Sequence, residues 1–140
     1  MRLVLDTDLV VAAMRSPSGG SAELLRRIDE GKATMLLSVA LALEYEAICT
    51  SAEHRLASGL SAGEAGLYVD TLIAMAEPVE SFFRWRPQLR DPGDELVLEA
   101  AVNGRASAIV TFNEKDLRTA RASFNIEVLR PGEVLRRLES

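Results

Sequence analysis

Short apolar runs of strand length alternate with longer helix-patterned segments along this chain, and brief polar or glycine-containing stretches join them. Arg2–Leu5 is the first apolar run, and it stops abruptly at Asp6. Asp8–Arg15 then reads as a helix that Asp8 is suited to begin, and Ser16–Gly20 reads as a loop. Ser21–Glu30 is a second helix, with Ser21 as its cap, Leu24, Leu25 and Ile28 on one face, and Gly31 as its stop. Thr34–Leu37 is a brief strand, and Ser38 caps a helix over Val39–Thr50.

The pattern continues to the end of the sequence. Ser61 and Glu64 have the spacing of a capping box, which predicts a helix over Ser61–Ala76. Glu77–Phe83 reads as extended, 87–92 as a loop, and Asp94–Asn103 as an apolar helix closed by Gly104. Ser107–Phe112 is the clearest buried strand. Leu117–Ala122 reads as a short helix, Ile126–Leu129 as a last strand and Gly132–Leu138 as a closing helix. Strands alternating with helices over short loops predict α/β layers around a mostly parallel sheet. Ligands of such sheets bind beyond the carboxyl ends of the strands.

The 140 residues match one ordinary domain, and the 48% hydrophobic and 26% charged shares suit a soluble chain with a substantial core. The net charge of −5 argues against simple tracking of nucleic-acid phosphates, unless acids are gathered around bound cations. A single cysteine, Cys49, excludes an internal disulfide and a cysteine-rich zinc site, and its apolar surroundings predict a core position. Asp6 arrives too early for the apolar region of a signal peptide, and no apolar run approaches the ~20 residues of a membrane span.

Four acids fall at the same structural end of successive strand–helix units. Asp6 directly follows the first strand, where it is either a site residue or the turn aspartate opening the next helix. Asp8 shares that turn and is read as a cap. Glu44 has Ala40, Leu41 and Ile48 at i−4, i−3 and i+4, a core-facing stripe on which an unpaired carboxylate would cost several kcal/mol, of order. Asp94 lies in Asp91-Pro92-Gly93-Asp94, which reads as an N-cap, proline at N1 and an acid at N3. Asp116 follows the fourth strand by four residues, with Asn113 nearer. Oxygen-only donors of this kind select hard cations such as Mg²⁺ or Mn²⁺. The sole histidine, His54, follows Glu53 in a polar stretch and is read as surface.

The pieces LVLDTD at 3–8, the Ser38…Glu44 helix start, RDPGDELVLEAA at 90–101 and IVTFNEKDL at 109–117 resemble the PIN-domain family, in particular its toxin-like bacterial branch. The resemblance runs nearly the whole chain, and Asp-Pro-Gly-Asp before an apolar helix is its most specific part. It implies one domain over 1–140, a three-layer fold with a mostly parallel central sheet flanked by helices. The family's metal-binding and catalytic acids fall on Asp6, Glu44 and Asp94, with Asp116 or Asn113 as the fourth. Asp8 stands where asparagine is usual, and Phe112 where glycine is.

The resemblance further implies an Mg²⁺- or Mn²⁺-dependent endoribonuclease, the cytoplasmic toxin of a toxin–antitoxin pair. Its partners would be RNA, a cognate antitoxin and a second copy of itself. Arg15, Lys115 and Arg118 lie near the active edge in sequence and are candidates for phosphate contacts. Arg84-Trp85-Arg86 is a candidate for base stacking or an interface. Two other readings stand beside this one. A degenerate PIN domain would bind RNA or protein without cutting. A haloacid-dehalogenase-like phosphatase would use Asp6 and Asp8 as nucleophile and acid, with Lys115 as the only late lysine.

Overall fold

The structure is a computed structural model that describes residues 1–80, 92–117 (the Asp116 side chain excepted) and 123–139. Leu3, Val4 and Leu5 of β1 (Arg2–Leu5) are all fully buried, as are Ala108, Ile109 and Val110 of β4 (Ala108–Val110). Strands without an exposed face need cover on both sides. The helices supply it: α1 (Thr7–Arg15), α2 (Gly20–Asp29), α3 (Val39–Cys49), α4 (Ala52–Ser58), α5 (Ala62–Met75), α6 (Pro92–Gly104) and α7 (Pro131–Glu139).

With β2 (Thr34–Ser38), β3 (Glu77–Val79) and β5 (Glu127–Leu129) the sheet runs in the order β3-β2-β1-β4-β5, every described pairing parallel. The α/β class and the mostly parallel sheet expected from the sequence are therefore present. β1 is central. The chain passes from it to β2 on one side and later to β4 on the other, so the sheet's switch point lies between the ends of β1 and β4. The register pairs Leu5 with Val110, and the Asp6 N–H then bonds the Val110 carbonyl at 2.9 Å. Asp6 and Thr111 thus leave the sheet side by side.

The capping box at Ser61 and Glu64 forms, and Ser38 caps α3 through its bond from the Leu41 N–H. Gly31, at φ 82, closes α2 as expected. Several local expectations need correction. The cap of α1 is Asp6, not Asp8, because Asp6 is extended and accepts the Thr7 N–H at 2.8 Å. The cap of α2 is Gly19, and Ser21 is buried within the first turn. Residues 52–58, read as a polar stretch, form α4, which lacks a buried stripe that would betray it. The helix expected over Leu117–Ala122 is described only at Leu117, the last residue of a 3-10 turn (Glu114–Leu117). The remainder of that segment, like Asp91 and 84–86, lies outside the described residues.

The end of α6 separates two demands that one glycine often meets. The helix runs through Gly104, where an added Cβ would lie 2.9 Å from Val79 Cγ2 and 3.0 Å from Leu36 Cδ1. The left-handed turn instead falls on exposed Arg105, at φ 54, and the Ala106 N–H reaches back to the Ala101 carbonyl at 2.9 Å. Gly104 is there for close packing, and Arg105 bears the backbone strain. Gly104→Ala is expected to lower stability by about 1–3 kcal/mol through overpacking. Arg105→Gly is expected to raise it by about 1 kcal/mol through relief of strain. Urea denaturation midpoints check both signs.

Candidate functional site

Asp6, Asp8, Glu44 and Asp94 line one cavity of about 400 Å³ at the carboxyl edge of the sheet, together with Thr7 and Asn113. Three of the four acids expected from the sequence are thus brought together. Asn113, the alternative fourth position, lines the cavity too. The Asp116 side chain lies outside the described residues.

Asp6 is buried at the end of β1. Its Oδ1 accepts the Thr7 N–H and its Oδ2 accepts the Thr111 hydroxyl at 2.7 Å. Thr111, itself fully buried, receives the Asn113 N–H at 2.9 Å, so its hydroxyl is fixed as a donor toward Asp6. Asp8 projects from the first turn of α1 across to the next strand end, where its Oδ2 accepts the Phe112 N–H at 3.2 Å. Its Oδ1 is buried and, among the described residues, has no hydrogen-bond partner. An unpaired buried carboxylate oxygen is costly, and this one faces a site already rich in acids.

Glu44 reaches the cavity from α3 and accepts the Thr7 hydroxyl at 2.7 Å. It does not face the core as its helical neighbours suggested. Ala40 is exposed, Ile48 is 38% exposed, and Glu44 itself is half-buried at the rim. α3 meets the core through Leu41, Tyr45 and Cys49, and the hydroxyl of Tyr45 donates to the Leu5 carbonyl one residue before Asp6. Asp94 stands at the third position of α6, and Pro92 is its first residue, as read from the sequence.

The electrostatics follow from this crowding. Burial pushes the Asp6 carboxyl up to about 7; the charge of Asp8 adds to the rise, Asp94 contributes further, and the Thr111 and Thr7 bonds oppose it. Asp8 is also raised, mainly by burial. The donors are carboxylate oxygens, which suit a hard cation. Among the described residues no three His, Cys, Asp or Glu side chains stand close enough to enclose an ion. Such a donor set fits Mg²⁺, which keeps several waters and needs only one or two carboxylates, better than an all-protein cage.

Among the ionisable residues of the cavity, sequence reasoning missed Asp8 and His54. Asp8 was read as a cap, although an acid two places after the strand-end aspartate was the available signal. His54 was read as surface, but it is half-buried and lines the cavity from α4. Only recognition of α4 would have placed it there. Of the expected phosphate contacts, Arg15 is two turns along α1 from the acids, and neither it nor Lys115 lines the cavity. Arg118 lies outside the described residues.

An α/β sheet with carboxylates gathered at its switch point defines a class of acid-site proteins. The family model of the PIN domain matches residues 2–115, and the chain belongs to that family. No curated protein matches the chain. Among solved structures it is similar to VapBC2 from Rickettsia felis bound to a DNA fragment from their promoter. That likeness has a TM-score of 0.58 at 13% identity, covering 93% of this chain and 98% of the other, and it is a likeness of fold.

Asp6 predicts a pH dependence of stability. Its folded value near 7 lies above its ordinary 3.8, so the folded state holds the proton more tightly. Stability should therefore fall as pH rises from about 4 to about 7, by up to about 4 kcal/mol, and level off above. Denaturation midpoints of the chelator-treated protein should show that fall, and Asp6→Asn should largely flatten it.

Proposed function

We propose that this chain is a metal-dependent endoribonuclease hydrolysing RNA phosphodiesters, the cytoplasmic toxin of a toxin–antitoxin pair. The observation that carries the reading is the convergence of Asp6, Glu44 and Asp94, from three separate elements, on one cavity at the sheet's switch point. Membership of the PIN-domain family supports it. A cognate antitoxin and a homodimer belong to the same reading, and the fold likeness to VapBC2 supports the first of these.

In this mechanism Asp6, Glu44 and Asp94, with Asn113 or Asp116 as the fourth position, would hold Mg²⁺ or Mn²⁺. When bound, the cation supplies Lewis-acid stabilisation of the phosphate and a more acidic water. The chain's own contribution is positional. Thr111 holds one oxygen of Asp6 and the Thr7 backbone holds the other, while the Thr7 hydroxyl holds Glu44. Fixed carboxylates require little reorganisation when charge develops on the phosphate.

A bound cation would favour the charged form of Asp6 against both its burial and the charges of Asp8 and Asp94, so Mg²⁺ or Mn²⁺ should restore the stability lost near pH 7. Wild type is expected to cut single-stranded RNA with Mg²⁺ or Mn²⁺ and to stop on addition of EDTA. Asp6→Asn and Asp94→Asn should each reduce cutting by on the order of 100-fold or more while remaining folded. Equal cutting by wild type and variants would mean a contaminant. A folded protein that binds RNA but no divalent cation would favour the non-cutting reading instead.

A further inference from the structure

The cavity has an end that the proposed chemistry does not use. Val11 lies three residues beyond Asp8 on α1, and Ile48 lies four beyond Glu44 on α3, each about one helical turn from its acid. Both line the cavity, as does His54 on α4, a helix that packs against α1 and α3. Two aliphatic side chains and an imidazole therefore extend the acid site.

The ring of His54 is oriented by burial. Its Nδ1 is buried and, among the described residues, has no hydrogen-bond partner. A proton there would be an unsatisfied buried donor, so the favoured tautomer carries it on Nε2. An anionic phosphate at this end would still feel the acids one turn away. A nucleobase carries no charge, has an apolar face for aliphatic and imidazole surfaces, and has acceptors on its edge. The whole cavity, about 400 Å³, is in the size range of small-ligand sites.

We propose that Val11, Ile48 and His54 form a subsite for one unpaired nucleobase of the RNA, with the His54 Nε2–H donating to the base edge. The proposal rests on the nuclease reading and names the part of the substrate held beside the cutting site. Duplex RNA, whose bases are stacked and paired, would not fill it.

His54 is the only histidine, so its two ring nitrogens give one ¹⁵N pattern in the spectrum of the whole protein. The free protein should show the Nε2–H tautomer. With Ca²⁺ in place of Mg²⁺, a short single-stranded RNA should shift the pattern, whereas an abasic strand of equal length and a duplex should not. His54→Ala and Ile48→Ser should each weaken single-strand binding about tenfold, with little change in thermal midpoint. No shift with single-stranded RNA, or an equal shift with the abasic strand, would overturn the subsite. Failure of the nuclease reading appears elsewhere, as absence of Mg²⁺- or Mn²⁺-dependent cutting by wild type.

Discussion

The bond from the Thr111 hydroxyl to Asp6 joins the ends of the two strands that flank the switch point of the sheet. It is possible only because the register sets Leu5 against Val110, so that the next residue of each strand emerges beside the other. A carboxylate placed there is desolvated by the strands beneath it and repelled by Asp8 and Asp94 around it. Two hydrogen bonds do not outweigh these effects, which is why Asp6 is raised toward neutrality despite being well bonded. The fold thus holds a charge conflict in place. Removing it calls for a proton or a cation, and the proposed chemistry uses the second.

The other acids are oriented by contacts that also hold the fold. Tyr45 ties α3 to the last carbonyl of β1, and Glu44, its neighbour in sequence, is thereby turned to the rim, where it accepts the Thr7 hydroxyl. The same short segment, Leu5–Asp8, therefore anchors α3, caps α1, and supplies two of the four cavity carboxylates. Loss of the Tyr45 hydroxyl would remove a buried hydrogen bond beside the site, so core and chemistry are not separable here.

Much of this architecture was legible from the residues because it rests on local signals. Continuous apolar runs mark strands covered on both faces, the Ser61–Glu64 spacing marks a helix start, and Gly31 marks a helix end. What stayed hidden depends on tertiary contact. α4 has no buried side chain to give it a pattern, so neither the helix nor the placement of His54 could be read. Of the apolar neighbours of Glu44 only Leu41 is buried, while Ala40 and Ile48 are exposed, so periodicity pointed Glu44 toward the core. Gly104 was rightly placed at a helix end but for an unforeseen reason, since closeness to Val79 and Leu36 is a property of the packed sheet.

The two departures from the family pattern bear differently on the site. Phe112 in place of glycine would matter to the backbone if that position needed a left-handed conformation. Among the described residues other than glycine, only Arg105 and Asn125 have positive φ, so Phe112 carries no such strain. Its contribution to the site is its N–H, which any residue but proline supplies, while its ring is 43% exposed. Aspartate in place of asparagine at position 8 keeps the acceptor for that N–H and exchanges an amide for a second, buried oxygen that has no partner among the described residues. That change adds negative charge beside Asp6 instead of removing an oxygen from the cavity. Neither substitution takes a donor out of the site, and the second strengthens the electrostatic reason for a cation to enter it.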